Sequence, residues 1–107
     1  MRASAAIDST LLAEMTRRGI TEKKATELLA NLKPQQELMD QLEYVDALVA
    51  KDKRGRVENP PGLYVFHIRD NVMPPGDFPT TRKRRLHEQA QQAKHAEVAR
   101  AALLKID

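Results

Sequence analysis

Cysteine and tryptophan are absent from this chain of 107 residues, and aromatic residues make up only 4% of it. Without cysteine, disulfide bonds and thiolate metal sites are excluded. A core with so few aromatic rings must be built from Leu, Ile, Val, Met and Ala. Such a core suits packed helices better than a β-sandwich or a β-barrel.

Long apolar runs are also missing. No stretch approaches the roughly 18 to 20 consecutive apolar residues that a membrane span requires. Residues 1–6 contain one cation and small side chains but no apolar segment of the kind found in secretory signals. We therefore expect a cytoplasmic protein that has no membrane partner.

Motifs of catalysis and cofactor binding are absent as well. The four glycines are scattered, so no phosphate-cradling loop is formed, and the serines occur only at positions 4 and 9. The histidines are His67, His87 and His95. The last two are two helical turns apart, about 12 Å, which is too far for one metal ion. We expect neither an enzyme nor a metal or cofactor site.

The first half of the chain carries the signals of three helices. Asp8 or Ser9 caps a first helix that ends at Gly19, and Thr21 caps a second helix that continues to about residue 32. Pro34 suits the first position of a third helix. Apolar residues repeat along that helix at helical spacing, at Leu38, Leu42, Val45, Leu48 and Val49.

The second half contains one ambiguous segment. The apolar run of residues 63–68 is typical of a short buried strand, whereas Asn59 followed by two prolines is a strong helix start. We favour a short buried helix to about Asn71, because no second strand is available for pairing. Residues 72–79 hold three prolines and indicate a rigid linker. A final helix is expected from Thr80 or Thr81 to about Ile106.

These elements predict an all-α fold. Residues 1–79 are expected to form a compact bundle of four helices. Residues 80–107 are expected to form a long basic C-terminal helix with a thin edge of Leu and Ala.

Positive charge is unevenly distributed. The net charge of +3 divides into −2 for residues 1–50 and +5 for residues 51–107. Cations in the first turn of a helix oppose the helix dipole, and the final helix begins with four of them. A phosphate backbone is a common reason for such a placement. The candidate nucleic-acid-binding residues are Lys23, Lys24, Lys53, Arg54, Arg56, Arg82, Lys83, Arg84 and Arg85.

Three separate segments supply these cations, and we expect the loop and the final helix to form one surface on duplex DNA. Residues 51–56 form a charged loop bent at Gly55, similar to the wings that track a phosphate backbone. Residues 18–21 are similar to a helix-hairpin-helix turn, but Thr21 stands where the second glycine is needed. A simple helix-turn-helix corner is the alternative there. Single-strand stacking is not expected with so few aromatic rings.

Three segments together carry a family resemblance: "L…RGI…A..L" within residues 12–32, "Q.EYVD.L" at 41–48 and "NPPGLYVFHIRDN…PP" at 59–75. The chain resembles, over residues 11–79, a helical module toward the C-terminus of bacterial plasmid and phage replication-initiator-like or helix-turn-helix proteins. The resemblance implies a non-catalytic DNA-associated module of a replication or mobile-element protein. Those relatives carry a winged-helix domain for sequence recognition, for which this chain has no room.

A function of a different class stays open. The Leu and Ala edge of the final helix is compatible with docking on other protein subunits or with self-association. The basic residues would then face an acidic protein surface. The sequence therefore predicts a DNA-associated module, with a protein-interaction or oligomerisation module as the alternative.

Overall fold

The computed structural model describes residues 8–104, which contain five helices and no strand. The all-α prediction is confirmed. The helices, in chain order, are α1 (Ser9–Arg17), α2 (Glu22–Ala30), α3 (Leu38–Lys51), α4 (Pro60–Arg69) and α5 (Thr81–Leu104). The predicted end of the last helix, near Ile106, lies outside the described residues. No helix in the described part of the chain is long and apolar enough to span a membrane.

α1 and α2 form a hairpin whose caps follow from the sequence. The Asp8 carboxylate accepts hydrogen bonds from the backbone N–H groups of Thr10 and Leu11, and the Thr21 hydroxyl accepts one from Lys24 N–H. Gly19 reverses the chain with a φ of +96°, a conformation that favours glycine. A Cβ atom at Gly19 would lie 2.9 Å from Pro61 Cγ. The hairpin turn is therefore covered by the start of α4.

α3 begins later than the sequence indicates. Pro34 was expected at its first position, but the helix starts at Leu38. Gln35 adopts a positive φ of 64°, which interrupts any helical path from Pro34. The Gln36 side chain accepts a hydrogen bond from Lys33 N–H and donates to Ile68 O. These bonds hold the segment before α3 as a turn.

α4 is a helix, which confirms the prediction of a helix in preference to a strand for this segment. The Asn59 side chain accepts a hydrogen bond from Gly62 N–H, and Pro60 and Pro61 occupy the first two helical positions, where no backbone donor is needed. A Cβ atom at Gly62 would lie 2.6 Å from Asn59 Nδ2, so a larger residue here would displace the capping side chain. The short Asn-Pro-Pro-Gly motif thus encodes a helix start in four residues.

The core lies between α1, α2, α3 and α4, with α3 packed on both α1 and α4. It contains aliphatic residues, one methionine and one tyrosine: Met15, Ile20, Ala25, Leu28, Leu38, Leu42, Val45, Tyr64 and Ile68. A polar cluster borders it. The buried Arg18 guanidinium donates to both oxygens of Asp46 at 2.8 and 2.7 Å, and the Tyr64 hydroxyl donates to the same carboxylate.

α5 leaves this core and projects. Every residue from Arg84 to Leu104 is exposed. The radius of gyration is 19.0 Å, whereas a compact domain of this length has about 13 Å. The helix is thus attached by its first turn alone and presents its remaining length to solvent.

His67 is buried in α4 and has a predictable effect on stability. Its ring meets those of Tyr44 and Phe66 edge-on, and its Nδ1 atom has no hydrogen-bond partner among the described residues. Burial lowers the pKa of His67 from its usual 6.5, because the charged ring would lose its hydration. Below pH 6.5 the unfolded chain therefore binds more protons than the folded chain.

We expect the free energy of unfolding to fall as the pH drops from about 6.5 toward the lowered pKa of His67, and to be unaffected by this group above that range. Urea unfolding at pH 7.5 and pH 5.5 measures the difference. The His67→Phe variant should reduce it, whereas His87→Phe, at an exposed position, should leave it unchanged. An equal pH dependence in His67→Phe and the unaltered chain would contradict the assignment.

Candidate nucleic-acid interface

The first turn of α5 is anchored on α3. Thr80 is fully buried, and its hydroxyl accepts a hydrogen bond from Lys83 N–H at 3.2 Å. Thr81 N–H donates to Glu43 Oε1 at 2.8 Å. Two backbone donors at the helix start are thus satisfied by side chains, one of them from another helix.

Arg82 takes part in this anchor. Its Nη2 and Nε atoms donate to Asp40 Oδ2 at 2.7 and 3.1 Å, and its Nε lies 3.4 Å from Glu37. The Asp40 side chain is only 2% exposed. Hydrogen bonding to Asp40 raises the pKa of the Arg82 guanidinium, so its charge is held in place. The unfavourable position of Arg82 in the helix is explained within the protein, without a phosphate.

Lys83 has a similar structural explanation. Its ammonium group donates to the carbonyl oxygens of Gly76 and Phe78 at 3.1 and 3.2 Å. These bonds tie the proline-rich linker to α5. Of the four consecutive cations in this turn, Arg82 and Lys83 therefore serve the fold.

Arg84 and Arg85 remain exposed, and neither has an acidic partner within 4.0 Å in the described part of the chain. Arg84 makes one long contact, 3.5 Å, with the Thr81 hydroxyl. Arg85 borders a cleft of about 530 Å³ between α1, α3 and α5, whose walls include Glu14 and Glu43. Arg84 is therefore the more accessible of the two to an anionic ligand.

The loop after α3 presents a second group of cations. Asp52 accepts hydrogen bonds from the backbone N–H groups of Arg56 and Val57, at 3.0 and 2.6 Å, so its carboxylate organises the loop. Gly55 makes the bend with a φ of +65°. Three exposed side chains without ion pairs within residues 8–104, Lys53, Arg54 and Arg56, surround a shallow hollow of about 300 Å³.

The cations of α2 contribute less. Lys24 pairs with Glu27 at 2.9 Å, and the negative charge of Glu27 offsets the positive charge of Lys24. Lys23 is exposed at the helix start. At the preceding turn, a Cβ atom on Gly19 would lie 2.9 Å from Pro61 Cγ, so the start of α4 packs against this turn. The helix-turn-helix corner at residues 18–21 stays a prediction.

The loop and the start of α5 lie at different ends of α3. Arg82 contacts Asp40 in the first turn of α3, and the loop begins after Lys51, at its last residue. The rise of an α-helix places these two points about 16 Å apart. The expectation of one shared surface stays a prediction.

Sequence reasoning missed two cations further along α5. Lys94 and Arg100 are exposed on the projecting part of the helix. α5 contains six Lys and Arg residues against two Glu residues, a net charge of +4. This charge density over one helix was the signal that could have extended the prediction beyond the first turn.

No cluster of metal-binding side chains occurs within the described residues. The chain was compared with known protein families, with curated proteins and with solved structures, and none of the three comparisons found a match. The resemblance to replication-initiator-like proteins therefore stays a prediction.

Proposed function

We propose that this chain is a non-catalytic DNA-associated module that contacts phosphates through its basic loop and α5. The observation that carries the proposal is the anchored but projecting α5, whose net charge is +4 and whose residues beyond Lys83 are all exposed. A helix held only at its first turn gains little from packing. Its exposure and charge suit a polyanionic partner.

The anchor itself directs the charge outward. Because Arg82 and Lys83 are bonded to Asp40 and to linker carbonyls, the helix leaves α3 in a fixed direction. Arg84, Arg85 and the cations further along α5 are then exposed to solvent. The loop cations supply a second contact about 16 Å away along α3. Two separated contacts would fix the orientation of the module on a phosphate backbone.

The resemblance stated above would place this module in a replication or mobile-element protein, with sequence recognition supplied by another domain. The five cations Lys53, Arg54, Arg56, Arg84 and Arg85 would neutralise up to five phosphates. Each phosphate contact adds about −0.9 to the slope of log binding constant against log salt concentration, so five contacts give an expected slope of about −4.5.

A salt titration tests the proposal. We expect the full chain to bind a 20-base-pair duplex at 50 mM salt and to lose most of its affinity by 200 mM. Replacing Lys53, Arg54 and Arg56 by Gln should flatten the salt slope by about 2 to 3, since three phosphate contacts are removed. Fluorescence anisotropy at several salt concentrations measures both.

The matched control replaces Arg17, Lys24 and Arg69 by Gln, three exposed cations that pair with acidic neighbours. This control changes the net charge by the same amount, but it should flatten the salt slope of DNA binding much less than the loop variant does. No duplex binding at 50 mM salt, or equal slopes for the two triple variants, would refute the assignment.

One observation favours the alternative of a protein-interaction module. Val98, Leu103 and Leu104 on α5 are 68%, 70% and 76% exposed, and contact with a protein partner would bury such apolar side chains. Apolar docking depends little on salt. Sedimentation of the chain alone at 50 and 500 mM salt therefore separates the two functions, because self-association through these residues would persist at both concentrations.

A further inference from the structure

One face of α5 combines cations and hydrogen-bonding side chains over three turns. Its members recur at spacings of three and four residues, which places them on one side of an α-helix. They are Arg84, His87, Gln91, Lys94 and His95, all exposed, and we call them the Arg84–His95 face. His87 and Gln91 approach each other to 3.5 Å. The face spans about 16 Å along the helix.

The acidic residues of α5 lie away from the centre of this face. Glu88 lies at its border, and Glu97 projects from a different side of the helix. Arg85 and Arg100 occupy the side opposite to the Arg84–His95 face. Charge alone therefore does not single out the face, but the combination of Arg and Lys with the amide and imidazole groups does.

The dimensions of α5 fit one groove of a nucleic acid. The major groove of B-form DNA is about 12 Å wide and admits one α-helix. Such a helix must expose the face that enters the groove, and every member of the Arg84–His95 face is exposed. The major groove of A-form RNA is too deep and narrow for side chains to enter.

We propose that α5 enters the major groove of duplex DNA and turns the Arg84–His95 face toward the base edges. This inference rests on the proposed function and adds the groove and the face. Arg and Lys pair with guanine, and Gln pairs with adenine, through acceptors and donors in that groove. Arg82 holds the helix start on α3 and Lys83 ties it to the preceding linker, so these two residues set the angle of entry.

Two double variants of equal charge test the face. Arg84→Gln with Lys94→Gln removes two cations from the Arg84–His95 face, and Arg85→Gln with Arg100→Gln removes two from the opposite side. We expect the first pair to weaken binding to a 20-base-pair DNA duplex at least about tenfold, and the second about twofold to threefold. Thermal unfolding of each variant verifies that the fold is retained.

The variant Gln91→Ala tests the face without changing the net charge. Its matched control is Gln92→Ala, which alters the next residue, on another side of the helix. We expect weaker DNA binding only for Gln91→Ala. The unaltered chain should also prefer the DNA duplex to an RNA duplex of the same length by at least about tenfold, because the helix cannot enter the RNA groove.

The outcomes separate this inference from the proposed function. If the DNA duplex is bound but both double variants weaken it equally, or if RNA and DNA duplexes bind alike, groove entry is refuted and phosphate contact stands. If no duplex is bound at 50 mM salt, both are refuted. A stable dimer that buries the Arg84–His95 face would also refute groove entry.

Discussion

Replacing Arg18 by methionine is expected to lower the free energy of unfolding by about 1 to 2 kcal/mol, less than the loss on breaking a fully buried ion pair, because the Asp46 side chain is 39% exposed. The Arg18 side chain is 6% exposed and joins α1 to α3 through Asp46, while also donating to Glu14 at 2.7 Å. Without Arg18, the Tyr64 hydroxyl is the one side-chain donor that the partly buried Asp46 carboxylate keeps within residues 8–104. Urea unfolding of the variant measures the loss.

The matched control is Arg17→Met, one position earlier. Arg17 also pairs with Glu14, at 2.8 Å, but its side chain is 65% exposed. Solvent screens an exposed pair strongly, so the stability of the control should be close to that of the unaltered chain. Similar losses for the two variants would contradict a special role for the Arg18–Asp46 pair.

Replacing Arg82 by glutamine is expected to loosen α5 from α3 and to lower the melting temperature by several degrees. The physical reason is the Asp40 carboxylate, which is 2% exposed and would lose its cation while its Oδ1 atom already lacks a partner among the described residues. Adding Asp40→Asn should restore part of the loss, because the neutral amide needs no counter-charge. Calorimetry of the single and double variants measures both effects.

Arg84→Gln is the control for this prediction, since it removes the same charge two positions later. It should leave the melting temperature unchanged and weaken duplex binding, whereas Arg82→Gln should lower the melting temperature. Unchanged melting of Arg82→Gln would contradict the anchor and return Arg82 to the group of binding residues.

The helix starts illustrate how local sequence specifies local structure. Asp8, Thr21 and Asn59 act as caps, as predicted, because a cap depends on a side chain and on backbone groups two or three residues away. Pro34 shows the limit of this reasoning. Its position favoured a helix start, but Gln36 bonds to Ile68, 32 residues away, and α3 begins at Leu38. Long-range partners of this kind are not visible in a local pattern.

The candidate interface shows the same division. The sequence identified Arg82, Lys83, Arg84 and Arg85 as a basic cluster that opposes the helix dipole, but treated the four as equivalent. Asp40 lies 42 positions before Arg82. Only folding brings this carboxylate beneath the first turn of α5 and thereby separates the cations that anchor the helix from those that face solvent.

The sequence by itself determined the all-α class, the caps and the basic character of α5, because each follows from residues that interact within a few positions of one another. Tertiary structure alone decided which cations are exposed, that Pro61 covers Gly19, and that the loop and α5 lie at different ends of α3. The reason is physical: the availability of a charge depends on its neighbours in space, and those neighbours come from distant parts of the chain.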